Sequence, residues 1–321
     1  MKLDSKKNIT NKDLNKFVAQ EIKDFSKEKE INLFAGQNIA ISISDSPEID
    51  ALGFSFEHQK NLIVELTRAL VIHGSTLIYG GDLRNNGYTR LFSELVYQYR
   101  PSDEVDKLFF KNFFSFPIYL KLEESDELDF KKNGVEPIKV SPPEGLKIDR
   151  SKFYPPDTKE NLYIWSECLS KMRSEMNDIT DARIFTGGSM ANFKGKYPGL
   201  LEEALLSLKN EIPVYFIGIF GGVTQRIIEA LNGKTPPELT MDWQLSQNID
   251  YKEFIDHYNS IKHVDKIDFK ERMTFLNEYT LKRLSNNNGL SIEENKRLFS
   301  SIHTSEIIFL VMKGITSKLK K

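Results

Sequence analysis

Four short turns, rich in glycine or other small residues, each follow a predicted strand and precede a predicted helix. Backbone N–H groups at a helix start have no intrahelical partner, and the helix dipole favours an anion there. A single such turn is weak support, because glycine also simply permits a tight connection. Four turns at one edge of a sheet predict a site for a phosphate-bearing or nucleotide-like ligand. The turns comprise residues 42–47, residues 80–84 with Gly87, residues 187–189 continuing to 195–199, and Gly218 with Gly221 and Gly222.

Charged side chains lie beside three of these turns. Arg84 follows a double glycine, where its guanidinium could bind a phosphate; the alternative is a solvated loop arginine. Asp82 could accept a ribose hydroxyl or cap the following helix. Lys194 and Lys196 flank Gly195 and could face the same edge, although exposed lysines are common.

Two adjacent acids, Glu202 and Glu203, lie in the first turn of a helix that Pro198 and Gly199 open. Acids at this position are favoured by the helix dipole whether or not a ligand is present. Because neighbouring helical residues point about 100° apart, at most one of the two should face a ligand. Arg173, at the border of the apolar stripe of the preceding helix, would be partly shielded or paired with an acid.

The candidate ligand-binding residues belong to these turns or lie next to them. We expect the glycines after the second, fifth and sixth sheet strands to share one cleft with Arg84. The full candidate set is Ser44, Ser46, Gly80, Gly81, Asp82, Arg84, Gly87, Thr89, Gly187, Gly188, Lys194, Lys196, Gly199, Glu202, Gly221 and Gly222.

Short β-branched or apolar runs alternate with segments of helical periodicity. This alternation predicts an α/β fold with a doubly wound, mainly parallel Rossmann-like sheet and helices on both faces. The predicted strands and apolar segments are 38–43, 75–79, 113–120, 136–140, 182–186, 213–218 and a closing strand at 306–312. The predicted helices are 54–73, 87–99, 159–177, 198–208, 223–231, 251–259, 270–284 and 291–303.

The chain is expected to have an extension and one elaborated domain. Residues 1–36 form the extension, in which Leu14, Phe17, Val18, Ile22 and Phe25 predict an amphipathic helix that packs on the domain or docks a partner helix. Residues 37–321 form the domain. Within it, residues 123–156 are rich in proline and charge, which predicts a long excursion or lid.

Composition excludes several classes of function. Lys and Arg total 44 against 46 Asp and Glu, so no global field attracts a polyanion and nucleic-acid binding is disfavoured. A single cysteine excludes an internal disulfide and a Cys-rich zinc site, and five scattered histidines argue against a metal; we expect no cofactor. The longest apolar run, residues 213–223, is about half as long as a membrane span requires. The N-terminal residues 1–10 do not form an apolar signal segment. The expected location is the cytoplasm.

Three stretches, taken in order, resemble the SLOG superfamily, which includes the lonely-guy (LOG) phosphoribohydrolases. They are STLIYGGDLRNNGYTRLF at 75–92, MRSEM at 172–176 followed by DARIFTGG at 181–188, and YPGLLEE at 197–203. The resemblance implies that Arg173 matches the catalytic arginine of the family and Glu203 its catalytic glutamate. It also implies a Rossmann-like nucleotide pocket.

The sequence departs from the LOG pattern where those enzymes carry a proline-glycine-glycine turn and a threonine. Thr186 replaces the proline, about ten residues at 189–198 are inserted, and Leu200 replaces the threonine. The chain is more similar to a subgroup of the superfamily often joined to TIR or other effector domains. The shared motifs are Ser46-Pro47 with Leu52-Gly53, then residues 80–89, 195–204, 218–222 and 289–295.

This resemblance implies a sensor of a nucleotide-derived small molecule, for example one derived from NAD or ADP-ribose, in prokaryotic defence signalling. An effector protein or a second copy of the chain would be its macromolecular partner, without a membrane. The alternative is a LOG-like N-glycosidase acting on nucleoside 5′-monophosphates or ADP-ribose compounds, with Arg173 and Glu203 as catalytic residues. DNA binding, known in other relatives, is weakened by the charge balance.

Overall fold

A computed structural model describes residues 33–84, 86–101, 107–248, 250–261 and 265–319. The predicted N-terminal amphipathic helix, with Leu14 to Phe25, lies outside these residues. The division of the chain at residue 37 therefore stays a prediction.

Six parallel strands form one sheet in the order β4-β3-β2-β1-β5-β6. The chain builds outward from β1 to β4 and then returns to place β5 against the other side of β1. In doubly wound sheets the ligand crevice lies at the carboxyl ends of the two strands that flank such a reversal, here β1 and β5. The strands are β1 (Asn38–Ser44), β2 (Thr76–Gly80), β3 (Phe110–Ser115), β4 (Val135–Val140), β5 (Ala182–Gly187) and β6 (Val214–Ile217).

Twelve helices are present in the described part of the chain, and they cover both faces of the sheet. They are α1 (Phe56–Ile72), α2 (Tyr88–Tyr99), α3 (Glu124–Lys132), α4 (Lys159–Asp178), α5 (Gly199–Lys209), α6 (Gly222–Leu231), α7 (Met241–Gln247), α8 (Tyr251–Ser260), α9 (Phe269–Glu278), α10 (Leu281–Asn288), α11 (Ile292–Ser300) and α12 (Thr304–Leu319). The doubly wound parallel fold expected from the sequence is confirmed.

Alternation along β1 decides which helices meet which face. Ile39, Ile41 and Ile43 are buried together with apolar residues of α1, α2 and α12. Ala40 points to the opposite face, where it packs with Met172 and Met176 of α4. Helices α5 and α6 continue this second layer over β5 and β6, and α8 to α10 pack outside them. Successive residues of β1 therefore point to opposite faces of the sheet and pack into the hydrophobic core on each face.

The predicted closing strand at 306–312 is wrong, because these residues belong to α12. The run is short and apolar, which is typical of a buried strand. A short apolar run of this kind also occurs in buried helices, so the sequence alone does not distinguish the two. The burial has helical spacing, since Ile307, Leu310, Val311 and Ile315 are buried while Phe309 is exposed. The predicted helix at 270–284 is two helices, since Thr280 caps α10 by accepting a hydrogen bond from the Arg283 N–H.

The segment 123–156 contains more regular structure than its proline content indicates. The predicted strand at 136–140 is confirmed as β4, at the sheet edge, and α3 precedes it. Further along, Leu146, Ile148 and Tyr154 pack against a small core formed by Phe116 and α4. The role of this segment as a lid stays a prediction.

The turns after β1, β5 and β6 interlock at the carboxyl edge. The Gly188 N–H donates to the Ser44 carbonyl at 3.0 Å, and the Val223 N–H donates to the Gly188 carbonyl at 3.0 Å. Gly222 has φ +66°, and a Cβ there would lie 2.4 Å from the Gly188 carbonyl oxygen. The start of α6 can therefore approach β5 this closely only without a side chain.

Gly222→Ala should destabilise the protein more than Gly233→Ala at the other end of α6. Both positions have positive φ, which costs an L-residue about 1–2 kcal/mol. At Gly233 no atom lies within 4 Å of the position that a Cβ would occupy, whereas overpacking against Gly188 adds about 1–3 kcal/mol at Gly222. Urea unfolding of both variants measures the difference, and equal losses would contradict the interlock.

Candidate functional site

A cluster of four charged side chains, three of them buried and that of Glu202 half-buried, lies where β1, β5, α4 and α5 meet. Arg183 Nη1 donates to Glu203 Oε2 at 3.0 Å and to Ser42 Oγ at 3.2 Å, and Ser42 Oγ itself donates to Glu203 Oε2. Arg173 Nη1 donates to Glu202 Oε2 at 2.5 Å, and its Nε lies 3.6 Å from Glu203 Oε1. Arg173 thus lies between the two adjacent acids, which both contact it although they leave the helix in different directions.

Arg183 is the most deeply buried member of this cluster, with 1% of its surface exposed. Burial lowers the pKa of its guanidinium, and the opposite charge of Glu203 counteracts this shift. Its Nε and Nη2 have no hydrogen-bond partner among the described residues. Since each arginine faces a glutamate, the cluster is balanced in charge, which is the condition under which buried charges are tolerated.

The inserted loop 189–198 covers Arg173. A Cβ on Gly195 would lie 3.0 Å from Arg173 Nη1, and one on Gly199 would lie 2.9 Å from Nη2. The two predicted lysines fasten this loop to α4: Lys196 Nζ lies 2.9 Å from Glu167, and Lys194 lies over the Trp165 ring at 4.9 Å. Lys196 Nζ also lies over the Tyr258 ring of α8 at 5.2 Å, so both lysines contact neighbouring helices.

The turn after β2 organises a second, exposed charged group. Asp82 Oδ1 accepts hydrogen bonds from the Arg84 backbone N–H at 3.0 Å and from Arg84 Nε at 3.4 Å, while Arg84 Nη2 lies 3.3 Å from Oδ2. The Asp82 N–H donates to Thr89 Oγ1 at 3.0 Å, and a Cβ on Gly87 would lie 1.9 Å from Asp82 Oδ1. These contacts hold the Arg84 side chain, which is 61% exposed, at the rim of the sheet.

Asp82 also affects the ionisation of its neighbours. Its hydrogen bonds raise the pKa of the Arg84 guanidinium, which stays a cation. Burial, with the negative charge of Asp82, raises the pKa of the Tyr79 hydroxyl well above its ordinary value. Tyr79 is therefore a neutral hydrogen-bond donor, and it lies 3.4 Å from Asp82 Oδ2.

A cavity of about 630 Å³ opens beside Arg84, between the turns after β1 and β2 and the starts of α1 and α2. Its walls offer two guanidinium groups and an ammonium for an anion, three carboxylates for hydroxyl donors, and an aromatic ring that is half exposed. The side chains that supply these groups are Arg84, Arg90, Lys60, Asp45, Glu57, Glu94 and Phe56.

A protein carboxylate already occupies the N-terminus of α6. The Gly222 N–H donates to Glu48 Oε1 at 2.8 Å, and Arg226 Nη2 donates to Glu48 Oε2 at 2.7 Å. Glu48 therefore satisfies the anion preference of this helix end from within the chain.

The structure brings the predicted residues together in separate groups. Asp82, Arg84, Gly87 and Thr89 surround the second turn, with Gly80 packed on α4 and Gly81 against β3. Gly199 and Glu202 join Arg173 and Glu203 in the buried cluster. The remaining predicted turn residues are buried or half-buried in the interlock and around Glu48: Ser44, Ser46, Gly187, Gly188, Gly221 and Gly222.

Several residues of these groups were not among the predicted site residues. Ser42 and Asp45 lie in the first predicted turn, residues 42–47, but were not candidates themselves. Arg183 is a charged residue within a mostly apolar strand, and that interruption was the available signal. Glu48 and Arg90 carry no pattern of spacing that separates them from other surface charges.

Two findings limit the kind of site. In the described ranges no group of three or more His, Cys, Asp or Glu side chains could hold a metal ion. None of the helices described is both long and apolar enough to cross a membrane.

Glu203→Gln should lower the free energy of unfolding by about 3–5 kcal/mol, because it leaves a buried guanidinium without its opposite charge. Urea unfolding measures the loss. Glu65→Gln makes the same chemical change in an exposed pair with Arg68 and should alter stability little. Similar small effects of both substitutions would contradict a structural role for the buried cluster.

Comparison with known proteins gives one match to a family. A family model described as SLOG cluster2 covers residues 33–298, which includes all six strands and both charged groups described above. A search of curated proteins finds no match. The resemblance seen in the glycine-rich motifs is confirmed, and the chain belongs to the SLOG cluster2 family.

Proposed function

We propose that this protein binds a phosphorylated, nucleotide-derived small molecule and senses it without cleaving it. Family membership supports a nucleotide-related Rossmann-like domain. The ligand we propose is derived from NAD or ADP-ribose, since both combine phosphate with ribose hydroxyls. The proposed site is the cavity beside Arg84.

Each part of such a ligand finds a suitable group in this cavity. Arg84 and Arg90 supply guanidinium groups for a phosphate, with Lys60 as a further cation. The Asp45 carboxylate accepts hydrogen bonds from ribose hydroxyls. Phe56, 49% exposed, offers a ring face to a base.

The observation that carries the choice of sensing over hydrolysis is the state of Glu203. Its carboxylate is engaged by Ser42, Arg183 and Arg173, and its surface is 9% exposed. The cavity beside Arg84 is lined by other residues. A carboxylate so engaged supports the fold and the shape of the crevice, whereas hydrolysis requires it beside the ribose.

The biological setting extends this proposal. We place the sensor in prokaryotic defence signalling in the cytoplasm, where it acts on an effector protein or on a second copy of the chain. Residues 1–36 are the proposed extension for such contacts, residues 37–321 the sensing domain, and residues 123–156 its lid.

A LOG-like N-glycosidase is the second candidate, and the close approach of Arg173 to Glu203 favours it. In that reaction Glu203 would stabilise an oxocarbenium-like transition state while water adds to the ribose carbon and the base leaves. Arg173 would orient the phosphate. This function requires loop 189–198 to move away from Arg173, because Gly195 of this loop lies against its guanidinium.

Arg84→Ala should weaken binding of ADP-ribose about ten- to hundredfold, the scale of hydrogen bonds to a charged group. The melting temperature without ligand should hardly change, since the side chain is mostly exposed. Isothermal titration calorimetry measures the affinity. Arg68→Ala removes an equally charged, exposed side chain on α1 and should leave binding unchanged; equal affinities of Arg84→Ala and wild type would contradict the site.

The wild-type protein should release no base from AMP, other nucleoside monophosphates, NAD or ADP-ribose, as followed by chromatography. Bound ligand should instead raise the melting temperature by mass action. Base release by the wild type that disappears in folded Glu203→Gln would replace the sensor with the hydrolase.

A further inference from the structure

A second cavity, of about 430 Å³, adjoins the first on the other side of Arg84. It lies between α2, α3 and the turn after β3. Both cavities are lined by Arg84, Arg90 and Glu94, so these three side chains form the wall between them. A ligand longer than one nucleotide could therefore extend across this wall and occupy both cavities.

The wall between the cavities carries two guanidinium groups, of Arg84 and Arg90, and one carboxylate, of Glu94. Arg84 is positioned side-on by Asp82, through contacts of 3.3–3.4 Å from Nε and Nη2. Arg90 is exposed in the first turns of α2 and forms no ion pair within the described ranges. Two guanidinium groups at the same boundary suit the charge of a diphosphate or phosphodiester group.

The chemistry on the two sides of the wall is similar. The first cavity offers the ring of Phe56 with the carboxylate of Asp45. The second offers the ring of Phe130, which stacks on Phe114 with centroids 5.9 Å apart, and the carboxylates of Asp126 and Asp129. An aromatic ring beside carboxylates suits a base or sugar with free hydroxyls on each side.

We infer that the ligand has two parts, each a nucleoside or sugar, joined by a diphosphate or phosphodiester group that Arg84 and Arg90 bind. This inference rests on the proposed function. It assigns the second cavity, through Asp129 and Phe130, to the part of the ligand that a mononucleotide lacks. Asp129 is suited to this contact because its side chain is exposed and forms no hydrogen bond or ion pair within the described ranges.

The test compares AMP with ADP-ribose by isothermal titration calorimetry on wild type and Asp129→Asn. ADP-ribose should bind at least about tenfold more tightly than AMP, because its second phosphate meets Arg84 and Arg90 and its second ribose adds hydrogen bonds to a carboxylate. Asp129→Asn should remove the part of this gain that comes from the second ribose, weakening ADP-ribose binding about three- to tenfold, and leave AMP binding unchanged. Glu124→Gln removes the same charge from the same helix outside the second cavity and should leave both affinities unchanged.

The outcomes separate this inference from the function on which it rests. AMP binding with no gain for ADP-ribose overturns the two-part ligand and leaves the nucleotide sensor intact. A gain for ADP-ribose that Asp129→Asn preserves also overturns it, because the second cavity then contributes nothing. If neither probe binds, the proposed function fails and this inference fails with it.

Discussion

Two buried arginines, paired with the buried Glu203 and the half-buried Glu202, determine how the centre of this molecule is assembled. Arg183 places a guanidinium beneath Glu203, and Arg173 bridges Glu202 and Glu203. Removing either partner of such a pair leaves an uncompensated charge in a region of low dielectric, at a cost that exceeds most single contacts. The start of α5, the end of α4 and the inserted loop over Arg173 are thereby fixed relative to β1 and β5.

Glycine-rich turns at the carboxyl edge of a sheet can border an open cavity or permit close packing of the backbone, and both arrangements are present here. The turn after β2 presents charged side chains to an open cavity, as expected of a ligand site. The turns after β5 and β6 instead permit backbone segments to touch, and a carboxylate of the protein satisfies the helix start there. A glycine motif in a sequence indicates that some group approaches the backbone closely at that turn. The motif does not indicate whether this group belongs to a ligand or to another part of the chain.

The periodicity of the sequence predicted the sheet and most helices, because each depends on local alternation of apolar residues. It failed at 306–312, where a short apolar run is compatible with strand and helix and packing against α1 decides. The position of Asp82 and Arg84 beside the turn after β2 could be predicted, because a turn and its charges are adjacent in sequence. The pairing of Arg183 with Glu203 could not, since strand β5 and helix α5 meet through tertiary packing that no spacing encodes.

The loop between β1 and α1 connects the exposed cavity with the second half of the sheet. Asp45 lines the cavity, and three residues later Glu48 binds the start of α6 together with Arg226. An occupant that displaced Asp45 and Glu48 together would change the free energy of the contact between Glu48 and α6. By thermodynamic reciprocity, a partner that altered this contact would then change the affinity of the cavity by the same factor. This one loop is the covalent connection between the cavity and the start of α6.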